Sequence, residues 1–284
     1  MKKEVKDEVA VQNCTPLRSL LDSRLIVATN ITEYNAKIIN CHNYIQVYFF
    51  SKTKEKKDTN LVKVDTDDLV KPKTNTSNTN VSDFSIEEKN INRSKLQCQR
   101  LAKCNCDEWK TFITLTIAEN ITDIDIANRK LKYFLDKVRR KYKELKYIGI
   151  PEFQKRGAVH YHLLTNISIN NTDLIYTQQD NKYFKHIKYW NDGFTKVDTL
   201  EKDIKKIIGY ISKYMTKDID NRLFNRHRYF YSRNLKKPIV SYLDLSNNKH
   251  FDYYNKILSN KNIIYESKYL NPYTNTPVNF KEFL

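Results

Sequence analysis

The scarcity of glycine constrains this chain more than any other feature: four in 284 residues, at Gly149, Gly157, Gly193 and Gly209. Loops that cradle phosphates bring bare backbone against the ligand, so they need several glycines at fixed spacing. Neither G-x-x-x-x-G-K-S/T nor G-x-G-x-x-G can be assembled from these positions. A P-loop motor and the usual dinucleotide fingerprint are therefore excluded, and no nucleotide cofactor is expected. Two of the four glycines sit where the chain reads as turning. Gly157 closes Lys155-Arg156-Gly157, and Gly193 ends Trp190-Asn191-Asp192-Gly193.

Lys and Arg number 50 against 33 acidic residues, a formal charge of +17, which points to a polyanionic partner, with nucleic acid as the default. A membrane surface needs a basic amphipathic helix with a Trp/Phe/Leu face, and none is readable. No run of 18 apolar residues is present, and the charged start Met1-Lys2-Lys3-Glu4 lacks the apolar stretch of a secretory signal. The expected location is the cytoplasm. Twenty tyrosines among the lysines suit base stacking on single strands, although a biased base composition yields the same enrichment. Cys14, Cys41, Cys98, Cys104 and Cys106 make an odd number, which argues against a disulfide framework. The C-x-C of Cys104 and Cys106 lacks the C-x2-C spacing of common zinc sites.

Tyr44-Ile45-Gln46-Val47-Tyr48-Phe49-Phe50 reads as a strand, in a hairpin with the segment near Ile38-Ile39. Residues 51–80 are polar and poor in large apolar side chains, as in a linker. Ser85 to Lys103 reads as a basic helix, and Lys110 to Ile117 alternates as a strand. Asp123 to Tyr142 has helical periodicity, with Ile126, Leu131, Phe134, Leu135, Val138 and Tyr142 as its stripe and Asp123 as its N-cap. A hairpin follows, from Tyr147 to Leu164, and then a turn and short strand within Tyr183 to Val197. Asp198 to Lys217 reads as a helix, with Asp198 and Glu201 as a capping box. Its buried face is Ile204, Ile207, Ile208, Ile211 and Met215.

His160 and His162 stand two apart on a strand, so both point to one face. If Lys155, Arg156 and Gly157 form a three-residue loop with Gly157 in the left-handed region, Gln154 pairs with Ala158. Glu152 then lies opposite His160, and Ile150 opposite His162. A two-residue loop would send Glu152 to the other face, because one step of register inverts every side chain. Glu152, His160 and His162 on one face make a mixed nitrogen and oxygen donor set suited to Mn²⁺, or to Mg²⁺ with retained waters.

On the helix ending at Lys217, Tyr210 and Tyr214 are four apart and share a face. Lys213 and Lys217 lie further toward solvent on the same side. Phenol oxygens beside ammonium groups suit attack on a phosphodiester, provided that the electrophile is activated by a metal or the phenol by a base.

Three segments in order resemble the motifs of HUH endonucleases: Phe112-Ile113-Thr114-Leu115-Thr116, His160-Tyr161-His162, and Tyr210-x-x-Lys213-Tyr214-x-x-Lys217. The two-tyrosine helix is similar to that of rolling-circle replication initiators of small single-stranded DNA phages and plasmids. Pro151 to His162 and Ser232 to Pro238 resemble further family segments. The resemblance spans about residues 90–240. It implies an α+β fold, ferredoxin- or RRM-like, with a central antiparallel sheet and helices packed on it. It implies a divalent metal, Mg²⁺ or Mn²⁺, on Glu152, His160 and His162. One of Tyr210 and Tyr214 would attack DNA to form a 5′-phosphotyrosine, with Lys213 and Lys217 beside them. Arg156, Arg233, Lys236 and Lys237 would contact DNA. The implied partners are single-stranded DNA at a replication origin and a host helicase and polymerase. The expected organisation is an N-terminal extension with strands (1–50), a flexible polar linker (51–84), the endonuclease domain (85–240) and a C-terminal extension (241–284). An HUH transposase, or a non-catalytic DNA-binding protein on the same fold, is the alternative.

Overall fold

The structure, a computed structural model, describes residues 33–56, 82–170, 173–179, 182–200, 204–216, 226–271 and 274–284. In chain order its elements are β1 (Glu33–Cys41), β2 (Tyr44–Glu55), α1 (Ser82–Cys104), β3 (Thr111–Ile117), α2 (Ile124–Lys141), β4 (Tyr147–Phe153), β5 (Val159–Thr165), β6 (Leu174–Gln179), β7 (Lys182–Ile187), β8 (Gly193–Thr199), α3 (Ile204–Thr216), β9 (Phe230–Tyr231), β10 (Ile239–Leu243), α4 (Asn248–Leu258), β11 (Ile263–Leu270) and β12 (Pro277–Phe283). The chain divides into two compact units. One comprises Met1–Ile39, Gln46–Asp67 and Val240–Leu284; the other comprises Asn40–Ile45 and Asp68–Ile239.

The second unit carries a five-stranded sheet in the order β8-β3-β5-β4-β9, every pairing antiparallel. Helices cover both faces. On one face α2 packs Leu131, Phe134, Leu135 and Val138 against Ile113, Leu115, Tyr161 and Leu163. On the other, α1 brings Cys98, Leu101 and Ala102, and α3 brings Ile207, Ile211 and Met215, over Ile148, Ile150 and Leu164. Each such burial contributes roughly 1.5–3 kcal/mol. The fold is α+β with a central antiparallel sheet, as expected.

Asp123 caps α2, its side chain accepting from the backbone N–H of Asp125 at 2.7 Å and of Ile126 at 3.3 Å. Ile126, expected in the stripe, is 39% exposed. The buried positions are Ile124, Ala127, Leu131, Phe134, Leu135 and Val138, a register that turns Ile126 away from the sheet. The helix expected from Asp198 begins instead at Ile204. Asp198 belongs to β8, where it pairs with Phe112, and the ladder continues as Leu200 N–H donates to Lys110 O at 2.8 Å. Strand pairing thus overrides the capping-box pattern, and Glu201 lies outside the described residues. Gly193 opens β8 because a Cβ there would lie 2.2 Å from Thr116 O. The hairpin β6–β7 was not read from the sequence.

In the first unit the strand order is β10-β1-β2-β12-β11. The expected hairpin is present as β1 and β2, joined at His42-Asn43, where His42 adopts φ 60. β2 runs on to Glu55 and α1 begins at Ser82, so both ends of the stretch read as a linker are regular structure. Residues 57–81 lie outside those described. Cys41, Cys98, Cys104 and Cys106 are free thiols, and Cys14 lies outside the described residues.

Candidate active site

The β4–β5 hairpin has the register that the loop chemistry demands. Gln154 N–H donates to Ala158 O at 2.9 Å, and Gly157 N–H donates to Gln154 O at 2.7 Å. Gly157 adopts φ 89, where a side chain would be strained. Glu152 accordingly pairs with His160, and Ile150 with His162. Across the other edge of β5, Thr114 pairs with His162 and Thr116 with His160. Glu152, Thr114, His160 and His162 therefore share one sheet face, the face that carries α3. Tyr161, between the histidines, points the opposite way and is fully buried, its hydroxyl donating to Asn128 Oδ1 at 2.8 Å.

His162 is held on three sides. Its Nε2 lies 2.5 Å from Glu152 Oε2, and its Nδ1 lies 3.2 Å from Thr114 Oγ1. A nitrogen and a carboxylate oxygen approach that closely only with a proton between them, so Nε2–H donates to Glu152. In the neutral ring Nδ1 then accepts from the Thr114 hydroxyl. The ring of Tyr214 stacks on the imidazole, with centroids 3.6 Å apart and planes at 19°. Phe112 lies alongside, 5.7 Å from the Tyr214 ring and 5.8 Å from that of His162. His162 is 4% exposed, whereas Tyr214 is half-buried at the rim.

Among the described residues, no three His, Cys, Asp or Glu side chains are arranged to hold a metal ion. The shared proton explains this, since Nε2 of His162 and the Glu152 carboxylate face one another directly. The donor set itself fits a divalent cation. Two imidazoles and a carboxylate lie on one face, and a cation in place of the shared proton would satisfy both groups that now share it.

Residues 110–219 match the family model of the replication-associated protein ORF2. Neither a curated protein nor a solved structure matches the chain. The matched segment runs from the residue before β3 to just past α3, so it holds Glu152, His160, His162, Tyr210 and Tyr214 together. The match supports a role in replication and an interaction with DNA. No described helix is long and apolar enough to cross a membrane.

The remaining expected residues fall in different places. Tyr210 lies in α3, one turn before Tyr214, with its side chain outside what is described, and Lys217 lies outside the described residues. Lys213 is exposed, its ammonium 5.5 Å from the Tyr214 ring centroid. The guanidinium of Arg156 donates to Ile117 O at 2.8 Å, to Ala118 O at 3.3 Å and to Gln154 Oε1 at 2.9 Å, so it ties the hairpin turn to the end of β3. Arg233 is exposed. Lys236 N–H donates to Asn105 Oδ1 at 2.9 Å, just beyond Ser232, whose N–H donates to Tyr147 O. Lys236 and Lys237 therefore follow the Tyr147 end of β4, about 17 Å along the strand from Glu152.

Sequence reasoning missed Thr114 as the partner of His162, and it missed Lys196. Lys196 pairs with Thr114 across β3–β8, in the row that continues to His162. The alternation of β3 marks Thr114 as sharing a face with Phe112 and Thr116. Only the strand order brings that face to the histidines.

Proposed function

We propose that this chain is a divalent-metal-dependent endonuclease that nicks and rejoins single-stranded DNA at a replication origin, through a tyrosine-linked intermediate, to initiate rolling-circle replication. The observation that carries this reading is the Tyr214 ring stacked on His162, whose Nε2 is bonded to Glu152. A nucleophile candidate thus stands against the donor set.

In this reading Glu152, His160 and His162 hold Mg²⁺ or Mn²⁺, which when bound polarises the scissile phosphate. Thr114 fixes the His162 ring through Nδ1, and Phe112 supports Tyr214 from the side. The phenol oxygen of Tyr214 or Tyr210 attacks phosphorus and loses its proton to solvent. The bond from phosphorus to the 3′ oxygen breaks, and that oxygen takes up a proton. The products are a 5′-phosphotyrosine and a 3′-OH that primes a host polymerase, with strand separation by a host helicase in the cytoplasm. The second tyrosine carries the joining step at termination. Lys213 and Lys217 place positive charge beside the phenols, and Arg156, Arg233, Lys236 and Lys237 add positive charge for the DNA backbone.

The test is incubation of the full chain with origin-bearing single-stranded DNA and Mn²⁺ or Mg²⁺. A protein–DNA adduct should survive denaturing electrophoresis and map to Tyr210 or Tyr214 by mass spectrometry. EDTA or His162→Ala should abolish it, and Tyr210→Phe or Tyr214→Phe alone should leave partial nicking. Failure to cut or couple on any candidate origin would sink the reading, and full activity in the double Phe variant would remove the tyrosine mechanism.

A further inference from the structure

The first unit carries a band of aromatic rings to which all five of its strands contribute. Tyr34 of β1 lies 4.8 Å from Tyr242 of β10 and 5.8 Å from Phe50 of β2, ring centre to ring centre. Tyr48, two residues before Phe50, shares its face and lies 4.8 Å from Phe280 of β12. Phe280 in turn lies 6.0 Å from Tyr265 of β11, which is 55% exposed. Phe49, between Tyr48 and Phe50, points the other way and meets Tyr254 of α4 at 5.9 Å. Among the described residues, the helix of this unit therefore packs on the face opposite the rings.

Lysines lie on the band itself. Lys54 Nζ is 3.9 Å from the centre of the Phe50 ring. Lys37 and Lys56 place their ammonium groups 5.2 Å and 5.5 Å from the Tyr242 ring centre. A row of half-exposed rings with ammonium groups among them offers π faces to bases and positive charge to phosphates. Unpaired nucleic acid presents both together. A duplex buries its base faces, and an acidic peptide would use the lysines but leave the rings idle. Four strand spacings span about 19 Å, enough for about four nucleotides.

We propose that this face is a second binding site for single-stranded DNA, separate from the histidine–tyrosine site. The choice of DNA over RNA rests on the replication reading above; the platform does not. It would hold the unpaired strand by stacking and charge without reading its sequence.

The experiment measures binding of the full chain to a fluorescent oligo(dT) by anisotropy at several salt concentrations, in EDTA so that no strand is cut. Tyr265→Ala should weaken binding by between about fivefold and about 150-fold, the worth of one stacked base. Tyr265→Phe, which keeps the ring, should stay within about twofold of wild type. Lys54→Ala with Lys56→Ala should reduce the slope of log affinity against log salt by about 1.4, two phosphate contacts' worth. Wild-type affinity in Tyr265→Ala together with an unchanged slope in the lysine pair overturns the proposal. So does tighter binding, by tenfold or more, of oligo(rU) or of duplex DNA. If the nicking reading alone is wrong, no covalent adduct forms with metal, yet oligo(dT) binding still depends on Tyr265.

Discussion

Gly209 stands in α3 immediately before Tyr210, and a Cβ built there meets no heavy atom within 4 Å. The position is exposed. Glycine in a helix interior costs about 1 kcal/mol relative to alanine, because more backbone freedom is lost on folding. With no steric charge against the new methyl, Gly209→Ala should stabilise the second unit by about 1 kcal/mol. For a unit of this size that raises the melting temperature by about 2–4 °C. Calorimetry or far-ultraviolet circular dichroism on the full chain reads the shift. Hydrogen exchange adds a local measure: amides of α3 that exchange by opening of this helix should slow about fivefold, the factor equivalent to 1 kcal/mol. Tyr214 would stay against His162, so nicking should remain within about twofold of wild type. A lower melting temperature, or unchanged exchange in α3, would show that residue 209 does not face solvent within an intact helix, and the reasoning would fail. Faster melting of α3 combined with faster nicking would refute it from the other side, by showing that the helix must open to work.

Thr114→Val keeps the shape of the β3 side chain but removes the hydroxyl that bonds His162 Nδ1. Loss of such a supporting hydrogen bond should lower metal affinity or nicking by about 10- to 100-fold with the melting temperature nearly unchanged; wild-type metal affinity and nicking would show that Thr114 does not orient the ring. Asp173, fully buried, has its pKa raised by that burial, but bonds from Lys141, Tyr142, Tyr189 and the Asn170 N–H outweigh it and leave the value lowered to about 2. Its carboxylate should contribute about 2 kcal/mol of stability above pH 4, and that contribution should vanish as the pH falls from about 4 to about 2. Urea unfolding of wild type and Asp173→Asn should therefore differ at pH 7 and converge near pH 2; an equal gap at both pH values would mean that the charge is not what stabilises.

The parts of the site that were legible are those fixed by short-range rules. The strand containing His160 and His162, the three-residue loop and the pairing of Glu152 with His160 follow from Gly157 and the two-residue alternation of strands, and the β4–β5 register agrees. Asp123 as the cap of α2 is equally local. What escaped depends on pairing between distant segments. Thr114 meets His162 only because β3 is the neighbour of β5, and Asp198 is claimed by Phe112 across β8 rather than by the helix that its capping pattern announces. β1 and β2 were readable as a hairpin, but nothing local shows that their sheet is completed by β10, β11 and β12, some 190 positions further on.

That separation sets an order of events during synthesis. The hairpin β1–β2 leaves the ribosome early, while its sheet neighbours β10 and β12 follow only after residues 57–239 have been made. At about 5–20 residues per second the interval is roughly ten to forty seconds. Over that time the two strands present unsatisfied backbone edges and the rings of Tyr34, Tyr48 and Phe50 to the cell. The histidine–tyrosine unit, by contrast, has nearly all its chain in hand and can fold in the meantime. A nascent chain stalled before residue 240 would then carry a formed histidine–tyrosine unit beside an open, sticky hairpin, which makes it a natural client for chaperones.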